Sequence, residues 1–321
     1  MRAVVLSEPG PVTNLSIQDL PIPEPTDGWV RIRVRAFGLN RSELHTRLGL
    51  AHGVTFPRVL GIECVGEIDS PCDLPLGQQV ATMMGNMGRT YDGGYAEYTV
   101  VPRGQVIPFT SDLPWSVLGA VPETLQTAYG SLTIGVGLAA GDTVLIRGGT
   151  SSVGLAAAAL AARMGATVLS TTRSASRLDA LSAVGVAHPL VDDGNVAAQV
   201  RALYPSGVDG AIELVGTPTL PDTLAAVRVQ GTVCFTGMLS NEWIVPEFYP
   251  IGYLPKGVRL TGYGGEAGDL PADVLQEALD DIAAGRLSLG EPTVYAMDDI
   301  RAAHDDMEHN RVYGKQVVTV A

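Results

Sequence analysis

Asp142-Thr143-Val144-Leu145-Ile146-Arg147-Gly148-Gly149-Thr150-Ser151-Ser152-Val153-Gly154, running on into Leu155 and an alanine-rich stretch to Ala162, is the segment that decides the fold. Its first residues are β-branched or large and aliphatic, the pattern of a strand buried on both faces, and small residues then turn the chain into a helix at Val153–Met164. A turn of this kind leaves unpaired backbone N–H groups at the positive end of a helix, where a pyrophosphate can bind. The residues must be small because the ligand has to approach the main chain closely. Strict G-x-G-x-x-G spacing is broken, since Ser151 stands where the middle glycine would fall. The alternative is an ordinary strand–helix turn capped by serine. The correct strand and helix flanks favour a dinucleotide, with Gly148, Thr150, Ser151, Ser152 and Val153 as its contacts.

About twenty residues beyond such a turn, an NAD site offers a carboxylate to the ribose hydroxyls. Here the sequence is Leu169-Ser170-Thr171-Thr172-Arg173-Ser174-Ala175-Ser176-Arg177, with no carboxylate. Thr172, Arg173 and Arg177 instead suit a 2′-phosphate, so NADPH is expected over NADH. The competing reading is a solvated loop with two surface arginines.

Outward from the turn, strands and helices alternate: Val144–Ile146, Val153–Met164, Thr167–Thr171, Ala175–Val184, Val196–Leu203, Gly210–Leu214, Leu220–Val229 and Thr232–Phe235. Alternation predicts a doubly wound parallel sheet of the Rossmann kind, an α/β class. Before about Pro108 the rhythm is all-β, with short runs at Ala3–Leu6, Trp29–Ala36, Cys64–Ile68, Gln79–Thr82 and Tyr95–Val101, and one helix near Ser42–Leu48. After Arg259–Tyr263 come a helix at about Pro271–Ala284 and a closing strand, Gln316–Val320, expected to rejoin the β module. The expected domains are therefore 1–118 with 267–321, and 119–266.

The 321 residues are 46% hydrophobic and 17% charged, the composition of a folded globular chain. Twenty-one Lys and Arg against 34 Asp and Glu give a formal charge of −13, which repels a phosphate backbone and argues against nucleic acid as a partner. Three cysteines (Cys64, Cys72, Cys234) without a C-x-x-C pair fit a reducing compartment. No signal peptide is read at the start, and the small-apolar stretch Val153–Ala162 falls short of the roughly 20 residues a bilayer span needs. A cytoplasmic protein without membrane association is expected.

The order of several further pieces resembles the medium-chain dehydrogenase/reductases of the zinc-free quinone oxidoreductase (zeta-crystallin-like) type. These are Met1-Arg2-Ala3-Val4, Gly38-Leu39-Asn40-Arg41-Ser42-Glu43, Leu60-Gly61-Ile62-Glu63-Cys64-Val65-Gly66, Gly93-Gly94-Tyr95-Ala96-Glu97-Tyr98, Thr127-Ala128-Tyr129 and Gly314-Lys315. The resemblance implies a GroES-like β-rich catalytic domain beside the Rossmann domain, a cofactor between them, and a homodimer. Zinc-dependent relatives carry cysteine where Asn40 stands, histidine where Ile62 stands and a further cysteine near Glu123. Glu43, Glu63 and His45 alone make a poor zinc site by ligand type, so no metal is expected.

Without a Lewis acid, negative charge developing on a substrate oxygen must meet hydrogen-bond donors. The resemblance places Asn40 and Thr127 beside the nicotinamide, and both are expected as catalytic donors. It adds Val215, Gly237, Met238 and Lys315 as cofactor contacts. His52 and the aromatics Trp243, Phe248 and Tyr249 are candidates for a wall against a flat apolar substrate; a dimer contact or plain packing are the alternatives for the aromatic segment. The implied activity is NADPH-dependent reduction of a small-molecule quinone or α,β-unsaturated carbonyl. An enoyl-thioester reductase, or an NADPH-binding protein without relevant turnover, are the other readings.

Overall fold

The computed structural model describes residues Met1–Val320. They divide into two compact units, one made of 1–123, 266–287 and 291 onward, the other of 124–265 with 288–290. The division falls inside the helix Pro122–Gly130, a little beyond the boundary expected from the change of sequence rhythm.

In the second unit six strands form one parallel sheet in the order His188–Val191, Thr167–Thr172, Thr143–Arg147, Val208–Glu213, Val227–Phe235, Arg259–Gly262. Chain order reverses between Thr143–Arg147 and Val208–Glu213, the switch point at which doubly wound sheets bind ligands. Val144, Leu145 and Ile146 are wholly buried, as a central parallel strand requires. Behind this strand the helix Ser152–Arg163 buries Gly154 to Ala161 without interruption, because alanine lets it lie close against the sheet.

Two expectations are corrected here. The helix expected at Leu220–Val229 stops at Ala226, and Val227-Arg228-Val229 opens the fifth strand, where β-branched residues pack well. The expected helix Ala175–Val184 is a 3-10 turn, Ala175–Arg177, followed by Leu178–Ser182. His188–Val191, which the alternation left unassigned, is an edge strand, where Pro189 is tolerated.

The first unit is built from a three-stranded sheet and a seven-stranded one. In the larger, Trp29–Leu39 is the organising strand, pairing with Glu63–Ile68, Tyr98–Pro102 and the closing strand Gln316–Thr319. The C-terminal segment thus returns to the β module, and it delivers Lys315 to the end of Trp29–Leu39, where Gln316 faces Leu39.

Candidate active site

The turn is shaped by its own small residues. Gly148 leaves the strand with φ +88, a left-handed conformation that favours glycine. The Gly149 N–H donates to the Thr171 carbonyl (2.9 Å) and the Gly148 N–H to Thr171 Oγ1 (3.1 Å), which ties the turn to the neighbouring strand. Ser151 caps the helix: its Oγ accepts from the Gly154 N–H (3.1 Å) and donates to the Gly148 carbonyl (2.8 Å). That hydroxyl is therefore engaged within the turn. The Ser152 and Val153 N–H groups, at the first helical positions, have no intrahelical acceptor and offer the positive helix end instead.

A Cβ on Gly154 would stand 2.6 Å from the Gly148 carbonyl oxygen and 2.7 Å from Gly149 Cα, so helix and turn meet main chain to main chain. Gly154→Ala is expected to push the helix end away, lowering stability by about 1–3 kcal/mol and weakening dinucleotide binding. Thermal melts and a dinucleotide titration check this.

Thr172 is buried and its Oγ1 accepts from the Ser174 N–H (3.3 Å). Arg173 follows, exposed, at the strand end, and Arg177 is half-buried at the start of Leu178–Ser182. Both arginines thus belong to the loop that leaves the second strand. Asp192 and Asp193, just past the strand His188–Val191, are both engaged. Asp192 forms a two-point pair with Arg147 (2.8 and 2.9 Å), and Asp193 Oδ1 accepts from the Asn195 N–H (2.9 Å).

Across the switch point, fully buried Glu213 shapes the loop carrying Val215. Its Oε1 accepts from the N–H groups of Val215 (2.7 Å) and Gly216 (3.1 Å) and from Thr219 Oγ1 (2.9 Å). Gly237 lies against the Leu214 main chain, where a Cβ would come within 2.6 Å of the Leu214 oxygen. The Ser240 N–H then donates to the Val215 carbonyl (2.8 Å). Val215, Gly237 and Met238 are in this way gathered at the carboxyl edge of the sheet, near Gly148.

Trp243 is half-buried, while Phe248 and Tyr249 are exposed, Phe248 standing edge-on to Tyr253. Within its own unit this segment is an open apolar surface. His52 is exposed on the turn after the helix Arg41–Arg47. Thr127 is nearly buried, one turn beyond Glu123 on the helix Pro122–Gly130.

In the first unit the structure gathers a cluster that sequence reading had named only in pieces. Asn40, Glu43, Glu63, Glu123 and Lys315 are all buried. Lys315 Nζ donates to Asn40 Oδ1 (2.6 Å) and pairs with Glu63 Oε1 (2.6 Å) and Glu123 Oε2 (3.4 Å). Asn40 Nδ2 donates to Glu63 Oε1 (3.0 Å), and Glu63 Oε2 accepts from the Glu123 N–H (2.9 Å). Glu43 reaches back to the Asn40 N–H (3.0 Å), capping the helix Arg41–Arg47, and also accepts from the Ile62 N–H (2.8 Å). Burial, reinforced by the Glu63 charge, pushes the Glu43 carboxyl up to about 7. Burial pulls the Lys315 ammonium down, but the Glu63 and Glu123 charges outweigh it and hold it above its ordinary value.

Both ends of the Asn40 amide are held within the cluster. The Lys315 ammonium meets Asn40, Glu63 and Glu123, and pairing of Gln316–Thr319 with Trp29–Leu39 fixes the base of its side chain there.

Comparison with known proteins agrees with this architecture. Residues 26–111 match the model of the alcohol dehydrogenase GroES-like domain, and residues 152–283 that of the zinc-binding dehydrogenases. Bovine prostaglandin reductase-3 is 31% identical over 81% of this chain, and the match spans 65% of that protein, less than two thirds of its length. Quinone oxidoreductase of Lama guanicoe is 26% identical over 99% of this chain and 97% of its own. A mycobacterial protein solved in complex with NADPH superposes with a TM-score of 0.88 at 24% identity, covering 100% of each chain. The two matched domains, together in one chain, are those of the medium-chain dehydrogenase/reductase family, to which the chain belongs.

The zinc in one of those descriptions does not fit the residues present. Asn40, Ile62 and Glu123 offer neither thiolate nor imidazole where zinc-dependent relatives place their ligands, and an ammonium lies 2.6 Å from Asn40 Oδ1 and from Glu63 Oε1.

Proposed function

We propose that this chain is an NADPH-dependent reductase of quinones or α,β-unsaturated carbonyls that works without a metal. The observation carrying this reading is the Gly148–Gly154 turn at the switch point of the sheet, with Arg173 and Arg177 on the loop from the next strand. Gly148, Thr150, Val153 and the Ser152 main chain would hold the pyrophosphate, with Ser151 as their cap. Thr172, Arg173 and Arg177 would hold the 2′-phosphate, and Val215, Gly237 and Met238 would flank the nicotinamide. The family relatives named as quinone oxidoreductase and prostaglandin reductase support the acceptor class.

The cofactor, when bound, supplies the hydride. The chain's part is to orient the reactants, exclude water and offer a donor to the oxygen on which charge develops. Thr127 Oγ1 is our candidate donor, with Asn40 held in the cluster beside Lys315. Solvent supplies the proton. Trp243, Phe248, Tyr249 and His52 remain candidates for acceptor contact.

Among the described residues no helix is long and apolar enough to cross a membrane. A cytoplasmic homodimer is part of the same reading, with the edge strand Arg259–Gly262 available for pairing between copies. Steady-state NADPH oxidation over naphthoquinones, benzoquinones and alkenals tests the activity. Turnover with one of these classes is expected, and absence of turnover with all of them would refute it.

A further inference from the structure

The disagreement between the zinc-binding description and these residues has a physical centre. Lys315 Nζ sits among oxygens alone: Asn40 Oδ1 and Glu63 Oε1 at 2.6 Å, and Glu123 Oε2 at 3.4 Å. The three come from different elements: the residue preceding the helix Arg41–Arg47, the strand Glu63–Ile68 and the helix Pro122–Gly130. An all-oxygen cage with carboxylates is what hard cations such as Mg²⁺, Mn²⁺ and Ca²⁺ choose. Two buried carboxylates, Glu63 and Glu123, pair with the ammonium, and a third, Glu43, stands in the same cluster bonded to the Asn40 and Ile62 N–H groups.

The backbone makes room for this arrangement. Gly38, in the strand Trp29–Leu39, has no side chain, and a Cβ there would stand 2.3 Å from Glu63 Oε1 and 2.5 Å from Lys315 Cε. Strand pairing of Gln316 with Leu39 fixes the base of the lysine, so its ammonium reaches the cage as a fixed part of the fold.

We propose that Lys315 is the resident cation of this cage: it holds the Asn40 amide by its oxygen and, by charge and position, keeps a divalent metal out. A dication entering beside it would meet an ammonium at contact distance in a buried setting, where repulsion is poorly screened. Metal independence in this chain thus rests on Lys315 as well as on the missing cysteine and histidine ligands.

The test is Mn²⁺ binding, read by electron paramagnetic resonance and calorimetry on the full chain, and it does not depend on any acceptor or cofactor. Wild type is expected to bind no Mn²⁺ at this site. Lys315→Ala is expected to bind one equivalent with Kd on the order of 10⁻⁴ M. Glu63→Gln in the Lys315→Ala background should abolish that binding. A folded Lys315→Ala protein that binds no Mn²⁺ overturns the proposal. Should Lys315→Ala fail to fold, wild type decides: its Asn40 side-chain amide resonances are expected to stay sharp when Mn²⁺ is added. Site-selective broadening of those resonances would show a metal entering the cage beside the lysine and overturn the proposal. A chain lacking all reductase activity would leave each of these outcomes readable.

Discussion

Replacing Arg147 with methionine is expected to lower the unfolding free energy by about 3–5 kcal/mol, because it strands two carboxylates that the guanidinium now satisfies. The Arg147 side chain is 1% exposed and those of Asp192 and Asp222 are 11% and 21% exposed. Two nitrogens hold Asp192, and Nη1 holds Asp222. Asp222 in turn accepts from the Val196 N–H (2.9 Å) and the Ala197 N–H (3.2 Å), capping the helix Val196–Leu203. One side chain at the end of the central strand thus locks the loop after His188–Val191 and two helix starts. Urea unfolding with linear extrapolation measures the loss. Arg147→Met combined with Asp192→Asn and Asp222→Asn should recover part of it, since no uncompensated charge is then buried. A loss below about 1 kcal/mol for the single variant would contradict the network's role.

The second large effect is a pH dependence centred on His304. Its imidazole is wholly buried, lies edge-on to Tyr95 with ring centroids 5.9 Å apart, and neither ring nitrogen has a hydrogen-bond partner among the described residues. Burial, reinforced by the nearby Arg47 charge, lowers its pKa to about 3. Unfolded histidine titrates near 6.5. A depressed folded value means that the stabilisation is fully present above about pH 6.5 and is lost as pH falls toward 3, since the unfolded chain takes up the proton first. The loss amounts to about 2 kcal/mol between pH 6.5 and 5, and to about 4–5 kcal/mol in full.

Glu43 works in the opposite direction. Its folded pKa of about 7 exceeds the ordinary 4.5, so its contribution is full below 4.5 and is lost as pH rises through 7. Comparing wild type with His304→Leu at each pH removes the Glu43 contribution, which both proteins share. The difference in unfolding free energy should shift by the stated amount in favour of the variant as pH falls. A difference that does not vary between pH 7 and 4 would show that the imidazole is not held neutral.

The strand–turn–helix around Gly148 was legible because its signal is local: strand, small residues and helix follow one another within Asp142–Ala162. The alternation that predicted a parallel sheet was equally local. Leu220–Val229 misled because the apolar residues Leu224-Ala225-Ala226-Val227 run on across the point where the helix gives way to a strand, and only pairing with Val208–Glu213 settles it. The charged clusters were illegible for a different reason. Lys315 and Asn40 are 275 residues apart, and Arg147 at a strand end meets Asp192 after another strand and Asp222 in the helix Leu220–Ala226. Nothing in the spacing of Glu43, Glu63 and Glu123 announces a common cage. Asn40 was picked out as an isolated amide, without its partners Glu63 and Lys315.

The central claim is NADPH binding through the loop carrying Arg173. Fluorescence titration of wild type and Arg173→Ala with NADPH and with NADH tests it before any acceptor is known. The expected result is NADPH binding that weakens at least about tenfold in Arg173→Ala, a cost of about 1.4 kcal/mol, with NADH affinity unchanged. Equal binding of the two dinucleotides by wild type, or binding of neither, would contradict it.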